Sequence, residues 1–244
     1  MTQRTLLLTG ASRGIGHATG KFFADAGWRV VTISRQAFSP RCPWLGGPEN
    51  HVQLDLGDMA RIEDGLAEIR DRLPDGRLDA LVNNAGISPK GPDGARLGVL
   101  NSSYATWLQV FSVNLFSTAL LAKGLIDHLS AAKGSIVNVT SLAGSRVHPY
   151  AGVAYAGSKA ALLSLTREMA AEFAPLGVRT NAISPGEIDT AILSPGTVAF
   201  ADREVPMRRL GKPSEVAAAI HFLCSEAASY VNGTELHING GQHV

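Results

Sequence analysis

The stretch "RTLLLTGASRGIG", residues 4–16, decides the fold of this chain of 244 residues. Its apolar run, residues 4–10, is typical of a buried strand. Apolar residues then recur at helical spacing from Ile15 to Ala26, and Gly27 suits the C-terminal cap of a helix. The stretch therefore predicts a strand, a glycine-rich turn and a helix in immediate succession.

Three glycines of the turn have separate roles in this prediction. Gly10 permits a tight turn, Gly14 lets backbone amides approach a pyrophosphate, and Gly16 allows the helix to pack closely on the strand. The N-terminus of the helix then offers free N–H groups and a partial positive charge to an anion. Packing alone is the other interpretation, because the spacing differs from the usual G-x-G-x-x-G pattern.

Strand and helix patterns alternate along the rest of the chain. Further strands are predicted at 28–34, 51–56, 77–86, 134–141, 178–184 and 235–239, and helices at 58–73, 103–131, 153–174 and 213–225. Little helix is expected in 36–50, a long loop in 87–102 and irregular structure in 186–205. No linker or repeat interrupts the pattern, so we expect one doubly wound α/β domain of Rossmann type over residues 1–244, with helices on both faces of a parallel sheet.

Composition excludes several classes of function. The formal net charge is +1 with 18% charged residues and no basic stripe, which disfavours a nucleic-acid partner. No apolar run approaches the roughly 18 residues of a membrane span. The apolar stretch at the N-terminus is too short for a secretory signal. Cys42 and Cys224 lack the spacing of metal ligands or of a disulfide framework. We therefore expect a cytoplasmic protein without a metal site.

The stretch "AYAGSKAA", residues 154–161, places the phenol of Tyr155 one helical turn before the ammonium of Lys159. Positions i and i+4 share one face of a helix, so the lysine would favour the phenolate. The reduction of a ketone needs such a proton donor, and lowering the tyrosine pKa by about three units needs roughly 4 kcal/mol. The pair could also be an accident of composition on a solvated helix.

Taken together, four motifs resemble the classical short-chain dehydrogenase/reductase family over essentially the whole chain. They are Gly-x-x-x-Gly-x-Gly in the first turn, "NNAG" at 83–86, Tyr155-x-x-x-Lys159 with Ser141 upstream, and "SPGEIDT" at 184–190. The resemblance implies a single Rossmann domain with a seven-stranded parallel sheet. It also implies a nicotinamide dinucleotide as cofactor, an alcohol–ketone reaction, and a homodimer or homotetramer.

The resemblance also implies residue roles. Ser141 would hold the substrate oxygen, Tyr155 would exchange the proton, and Lys159 would lower the tyrosine pKa and bind ribose hydroxyls. Asn114, a poor residue within a helix, would bind a water that links the lysine to solvent. The interval from Ser141 to Tyr155 is one residue longer than is usual in the family, which leaves Thr140 as the alternative to Ser141. The implied cofactor-binding residues are Gly10, Ser12, Arg13, Gly14, Ile15, Gly16, Ser34, Arg35, Asp55, Leu56, Asn83, Ala85, Gly86, Tyr155, Lys159, Pro185, Gly186, Ile188 and Thr190.

The end of the second strand bears on the choice of dinucleotide. An acidic residue there would bind the ribose hydroxyl of NAD, whereas this strand ends in Ser34 and Arg35. With Arg13 in the glycine turn, two guanidinium groups suit the phosphate of NADP. We expect a preference for NADP(H), with NAD(H) as a possible cofactor. The other interpretation is that both are surface arginines.

Three loops are expected to form the substrate pocket, namely 87–98, 144–152 and 187–205. Polar residues there suggest an oxygen-rich or anionic substrate: Arg146, His148, Tyr150 and Glu187. A 3-oxoacyl-carrier-protein reductase and a sugar or polyol dehydrogenase both fit. A non-catalytic dinucleotide-binding regulator on the same fold is the alternative from another class. Small residues along helix 153–174 suit either a subunit contact or tight internal packing.

Overall fold

A computed structural model describes residues 3–40, 42, 47–190, 193 and 196–244 of the chain. Seven strands form one parallel sheet in the order β3-β2-β1-β4-β5-β6-β7. They are β1 (Thr5–Thr9), β2 (Arg29–Ser34), β3 (His51–Gln53), β4 (Ala80–Asn83), β5 (Ser135–Val139), β6 (Arg179–Pro185) and β7 (Glu235–Ile238). This topology confirms the predicted doubly wound α/β fold.

Helices cover both faces of the sheet. They are α1 (Gly14–Asp25), α2 (Ile62–Asp71), α3 (Tyr104–Phe111), α4 (Ser117–Ala132), α5 (Val153–Phe173), α6 (Thr197–Glu204) and α7 (Pro213–Cys224). Successive side chains of a strand point to opposite faces. Leu7 of β1 therefore joins the core under α2, α4 and α5, whereas Leu6 and Leu8 join the core under α1 and α7. All three leucines are fully buried, which explains why the centre of β1 is apolar.

The predicted helix at 103–131 is formed in two parts. A π-helical turn, Ser112–Phe116, separates α3 from α4. The whole stretch Tyr104–Ala132 is long and apolar enough to span a membrane by length and composition alone. In this fold Leu121, Leu125 and Leu129 of that stretch are fully buried in the core of the α/β domain. One side of the stretch therefore packs in the core of this structure.

The strand order places a crevice at the carboxyl edge of the sheet. β1 pairs with β2 on one side and with β4 on the other, and the connections to these neighbours lie on opposite faces. Ligands of doubly wound sheets bind at such a change of direction. The glycine turn begins at this edge, directly after β1.

Four predicted boundaries differ from the structure. The strand at 51–56 is limited to β3, and the strand at 77–86 is limited to β4. The helix at 58–73 begins as a 3-10 turn, Met59–Arg61, before α2. The segment 186–205, predicted to be irregular, contains α6, which starts after Gly196 in a left-handed conformation with φ of 86°. Residues 41 and 43–46 of the predicted loop 36–50, and residues 191, 192, 194 and 195 of the loop 187–205, lie outside the described residues.

Candidate active site

A cavity of about 1030 Å³ opens at the carboxyl edge of the sheet. It is bordered by the glycine turn, by the ends of β2 and β5, and by the loops after β3, β4 and β6. Its volume lies at the upper end of the range of about 300–1,000 Å³ for small-molecule sites. Of the predicted cofactor-binding residues, those on its wall are Gly10, Ser12, Arg13, Gly14, Ile15, Gly16, Ser34, Arg35, Asp55, Leu56, Ala85, Gly86, Tyr155, Lys159, Pro185, Gly186, Ile188 and Thr190.

The glycine turn leaves no room for side chains. A Cβ atom on Gly16 would lie 2.2 Å from the carbonyl oxygen of Gly10, and one on Gly10 would lie 2.9 Å from Cα of Ala85. Gly10 and Gly14 also have positive φ angles of 71° and 58°. The turn therefore presents bare backbone and the N-terminus of α1 to the cavity, as the binding of a pyrophosphate requires. The residues present fit a dinucleotide.

The two asparagines of "NNAG" have different positions. Asn83 is buried and absent from the cavity wall, and its Nδ2 donates to Oδ1 of Asn138 at 2.9 Å. Asn84 lies on the wall instead, and its Nδ2 donates to the carbonyl oxygens of Thr9 and Gly10, each at 3.0 Å. Asn84 thus fixes the glycine turn from the neighbouring strand. The sequence interpretation assigned this region to Asn83 and did not include Asn84.

One end of the cavity is basic. Arg13 and Arg35 are both exposed on its wall, and neither guanidinium has an ion pair among the described residues. Ser34 ends β2 next to Arg35, and its Oγ donates to the carbonyl oxygen of Gln36 at 3.0 Å. One cation in the glycine turn and one after β2 leave this part of the cavity suited to an anionic group.

Tyr155 and Lys159 lie together in the first turns of α5, where the carboxyl end of β5 meets the cavity. Lys159 is buried with 3% exposure, and its Nζ donates to the carbonyl oxygen of Val139 at 2.7 Å. The same Nζ is 5.7 Å from the centroid of the Tyr155 ring. The predicted juxtaposition of phenol and ammonium is therefore present.

The pKa values of this pair differ in direction from the sequence interpretation. Burial raises the pKa of Tyr155, a hydrogen bond with Ser141 lowers it, and the negative charge of Glu187 raises it further. Burial also lowers the pKa of Lys159 to about 8. The sequence interpretation expected the lysine to lower the tyrosine pKa. Desolvation is the largest cause for both groups, so the phenol holds its proton in the protein alone.

Ser141 and Thr140 follow β5 and have different partners. The Ser141 hydroxyl lowers the pKa of the Tyr155 phenol, and its Oγ accepts from the backbone N–H of Ala143 at 3.2 Å. The Thr140 hydroxyl is buried and donates to the carbonyl oxygen of Ile183 at 2.8 Å. This geometry favours Ser141 over its alternative Thr140 for holding a substrate oxygen.

Asn114 lies in the π-helical turn and does not line the cavity. Its Oδ1 accepts from the backbone N–H of Ile87 at 2.9 Å, and its Nδ2 donates to the Ile87 carbonyl at 3.1 Å and to Ser158 Oγ at 3.0 Å. The Ser158 hydroxyl in turn donates to the carbonyl oxygen of Tyr155 at 2.7 Å. Asn114 therefore ties the loop after β4 to α5, one step behind the phenol. π-Helical turns are often found at functional sites.

The other end of the cavity holds a buried ionisable pair. His148 Nε2 lies 2.5 Å from Oε1 of Glu187, and both residues line the cavity with Tyr150. Lys90 also lies on the wall, where its Nζ donates to the backbone carbonyl of Tyr150. Arg146 is not on the wall, since its guanidinium donates to the backbone carbonyl of Gln242. Lys90 was not singled out by the sequence, which gave no signal beyond its place in a long loop.

Comparison with known proteins defines the class of protein. A family model described as Enoyl-(Acyl carrier protein) reductase matches residues 10–243. A solved structure of an oxidoreductase of the short-chain dehydrogenase/reductase family from Brucella ovis, in complex with a partially ordered NAD, is 55% identical. It has a TM-score of 0.86, and the match covers 98% of this chain and 100% of that chain. The chain therefore belongs to the short-chain dehydrogenase/reductase family.

Curated relatives cover nearly the whole chain. Protein FixR from Bradyrhizobium diazoefficiens is 58% identical over 242 residues, which is 99% of this chain and 87% of the relative. The 3-oxoacyl-[acyl-carrier-protein] reductase FabG from Vibrio cholerae is 34% identical over 252 residues, 99% and 98% of the two chains. L-fucose dehydrogenase from Oryctolagus cuniculus is 36% identical over 250 residues, 98% and 84% of the two chains. Fold, site and relatives together make this protein an NAD(P)-dependent oxidoreductase that acts on alcohol and ketone groups.

Proposed function

We propose that this protein is an NADP(H)-dependent oxidoreductase that interconverts a secondary alcohol and a ketone, with Tyr155 as general acid and base. One observation carries the proposal. The hydroxyls of Ser141 and Tyr155 lie with Lys159 on the wall of the cavity that the glycine turn also lines, and Lys159 Nζ is 5.7 Å from the centroid of the Tyr155 ring. A proton donor and a dinucleotide cradle thus share one cavity.

Each of these side chains has a part in the reaction. A nicotinamide dinucleotide, when bound, supplies hydride to the carbonyl carbon or takes it from the alcohol carbon. The Tyr155 phenol gives its proton to the carbonyl oxygen in reduction, and Ser141 Oγ holds that oxygen within reach of the phenol. Lys159 binds the ribose hydroxyls. Asp55 and Leu56 hold adenine, and Ile188 and Thr190 position the carboxamide.

The protonation state of Tyr155 suits reduction. Because burial raises the pKa of Tyr155, the free protein holds the phenol as the acid that ketone reduction consumes. The alcohol direction needs the phenolate, which depends on positive charge from Lys159 and from the oxidised cofactor.

NADP(H) is the proposed cofactor because of the basic end of the cavity. Arg13 and Arg35 are available there for a phosphate on the adenosine ribose, and no acidic side chain ends β2. The Brucella ovis relative was solved in complex with a partially ordered NAD. NAD(H) is accordingly retained as a second cofactor whose use must be measured beside NADP(H).

The substrate is proposed to be either a 3-oxoacyl group on a carrier protein or a sugar or polyol. Relatives of both kinds match the chain, namely a 3-oxoacyl-[acyl-carrier-protein] reductase and an L-fucose dehydrogenase. We further propose a cytoplasmic homodimer or homotetramer. Exposed apolar side chains on and around α3, such as Leu100, Tyr104 and Phe116, support a subunit contact. Ala160 and Ser164 on α5 are exposed as well, whereas Ala154 is buried inside the subunit.

A non-catalytic regulator on the same fold is disfavoured. A protein that only binds a dinucleotide has no need of a buried lysine, a phenol and a serine hydroxyl arranged around the substrate position. All three groups are present here on the wall of one cavity.

The proposal is tested by following NADPH absorbance with a panel of ketones and, in the reverse direction, NADP⁺ reduction with the matching secondary alcohols. We expect turnover by the wild-type protein. The Tyr155→Phe variant should bind NADPH as tightly as the wild type and lose at least about 100-fold in kcat. Cofactor binding without turnover across the panel would favour the regulator, and an active Tyr155→Phe variant would remove the mechanism.

A further inference from the structure

We propose that Glu187 and His148 form a subsite for an uncharged hydroxyl group carried by the substrate next to its reacting carbon. The inference rests on the proposed function and deepens it, because it selects hydroxylated substrates such as 1,2-diols and α-hydroxy ketones. Neither residue of this pair is among those proposed to hold or transfer the reacting proton.

The pair joins two of the substrate loops. His148 lies in the loop after β5 and Glu187 directly follows β6, with side-chain exposures of 13% and 8%. A contact of 2.5 Å between Nε2 and Oε1 connects them. The rings of Tyr150 and Phe200 meet the imidazole edge-on, with centroid distances of 6.0 and 5.6 Å. The pair is therefore held in one orientation from several sides.

The hydrogen bonds of His148 assign its tautomer. The backbone N–H of Tyr150 donates to His148 Nδ1 at 3.3 Å, so Nδ1 is an acceptor and carries no proton. The proton of a neutral imidazole then lies on Nε2, which donates to Oε1 of Glu187. Protonation of Nδ1 would set two donors against each other. The pair consequently places the Glu187 carboxylate in the cavity wall with Oε1 as the acceptor from His148.

The second carboxylate oxygen is the recognition element. Oε2 of Glu187 has no hydrogen-bond partner within the part of the chain that the structure describes, and the residue lines the cavity. An ionised carboxylate only accepts hydrogen bonds. A ligand that displaces water from Oε2 must supply a donor, because a buried acceptor without a partner is costly. A substrate carboxylate or carbonyl cannot fill this role.

The surrounding charges favour a neutral donor over an ammonium group. The titratable side chains around Glu187 on this part of the wall are His148, Tyr150 and Tyr155, with Lys90 and Lys159 as the cations. A substrate ammonium would add a third cation to this end of the cavity, so a hydroxyl is the donor that fits. The carboxylate also acts electrostatically on the phenol of Tyr155. Glu187 and Tyr155 line the same cavity, so the recognised hydroxyl belongs to the substrate whose oxygen Tyr155 protonates.

The test compares two alcohols that differ in one hydroxyl, trans-1,2-cyclohexanediol and cyclohexanol, with the NADP⁺-loaded protein. Glu187→Gln keeps the shape of the side chain. In this variant the side-chain oxygen Oε1 can still accept from His148 Nε2. The amide nitrogen then faces the cavity, where it is a hydrogen-bond donor in place of the acceptor Oε2. Asp189→Asn is the matched control, because Asp189 makes the same change of charge two residues away, is exposed and is not on the wall.

We expect the wild type and Asp189→Asn to show a kcat/KM for the diol at least about tenfold above that for cyclohexanol, since a hydrogen bond to a charged group is strong. In Glu187→Gln the ratio should fall below about threefold, with cyclohexanol still oxidised. A wild-type ratio near one, or a ratio that survives in Glu187→Gln, overturns the proposal.

Binding separates failure of this inference from failure of the proposed function. If neither alcohol is oxidised, saturation-transfer NMR of the same pair on the NADP⁺-loaded protein makes the same comparison. Tighter binding of the diol that is lost in Glu187→Gln supports the subsite, and equal or undetectable binding of both alcohols overturns it. The absence of turnover with every ketone and alcohol tested counts against the proposed oxidoreductase reaction instead.

Discussion

Replacing Gly16 by alanine tests whether the glycine turn is as tight as the structure shows. A Cβ atom at this position would lie 2.2 Å from the carbonyl oxygen of Gly10 and 2.5 Å from Nδ2 of Asn84. Neither neighbour is the end of a flexible side chain. The carbonyl belongs to the turn itself, and the amide is held by two hydrogen bonds from Asn84 to the backbone of Thr9 and Gly10.

The magnitude follows from three contributions. Alanine in a helix is favoured over glycine by about 1 kcal/mol. Overpacking against backbone costs about 1–3 kcal/mol, and a shift of the turn weakens two hydrogen bonds of Asn84 worth about 1 kcal/mol each. We expect Gly16→Ala to lower the free energy of unfolding by about 2 kcal/mol. In a chain of this length, that loss lowers Tm by roughly 4–8 °C.

Gly157→Ala is the matched control, because Gly157 is also inside a helix. Its Cβ would lie 3.8 Å from the rings of Trp107 and Phe111, which is an ordinary contact. The same substitution there should raise the stability by up to about 1 kcal/mol. Thermal unfolding by circular dichroism, without and with NADPH, measures both variants. A Gly16→Ala protein with wild-type Tm and wild-type NADPH affinity would refute the reasoning.

Three further outcomes are expected. Alanine at both Arg13 and Arg35 should reduce kcat/KM with NADPH at least about tenfold and leave kcat/KM with NADH within about threefold of the wild-type value. A wild-type protein that prefers NADH about tenfold contradicts the assignment. Glu187→Gln removes a charge that raises the pKa of Tyr155. The rising limb of kcat/KM for cyclohexanol oxidation should therefore move to lower pH, and a limb that stays in place contradicts this. Asn114→Ala removes the hydrogen-bond partner of the partly buried backbone N–H and carbonyl of Ile87. We expect urea unfolding to show a free energy of unfolding lower by about 2–3 kcal/mol.

The fold could be predicted from the sequence because each level of pattern agreed with the others. The strands of a parallel sheet are buried on both faces, so β1 reads as a continuous apolar run and ends at the glycine turn. Helix α6 could not be found in this way. It has eight residues, follows a glycine with positive φ and buries only Thr197 and Ala201 in its own span, so its periodic signal is short.

The exchange of Asn83 for Asn84 shows where sequence reasoning about a site reaches its limit. Successive residues at the end of β4 point to opposite sides, so a register difference of one residue moves a side chain from the interior to the cavity. "NNAG" contains an asparagine for each side and no local signal for which is which. Tertiary hydrogen bonds distinguish the two residues. Asn138 on β5 accepts from the Asn83 side chain, and the carbonyls of Thr9 and Gly10 accept from the Asn84 side chain.

The direction of the Tyr155 pKa shift was also beyond the sequence, because it depends on burial. The helical spacing of Tyr155 and Lys159 showed the attraction between the two charges but not the cost of removing both from water. In the structure, that cost raises the pKa of the phenol and lowers the pKa of Lys159 to about 8. The phenolate is favoured at high pH and the ammonium at low pH, so the free protein scarcely populates the state that has both charges. The chain alone thus holds the phenol in its protonated form, and the positive charge of an oxidised cofactor would favour the phenolate that alcohol oxidation needs.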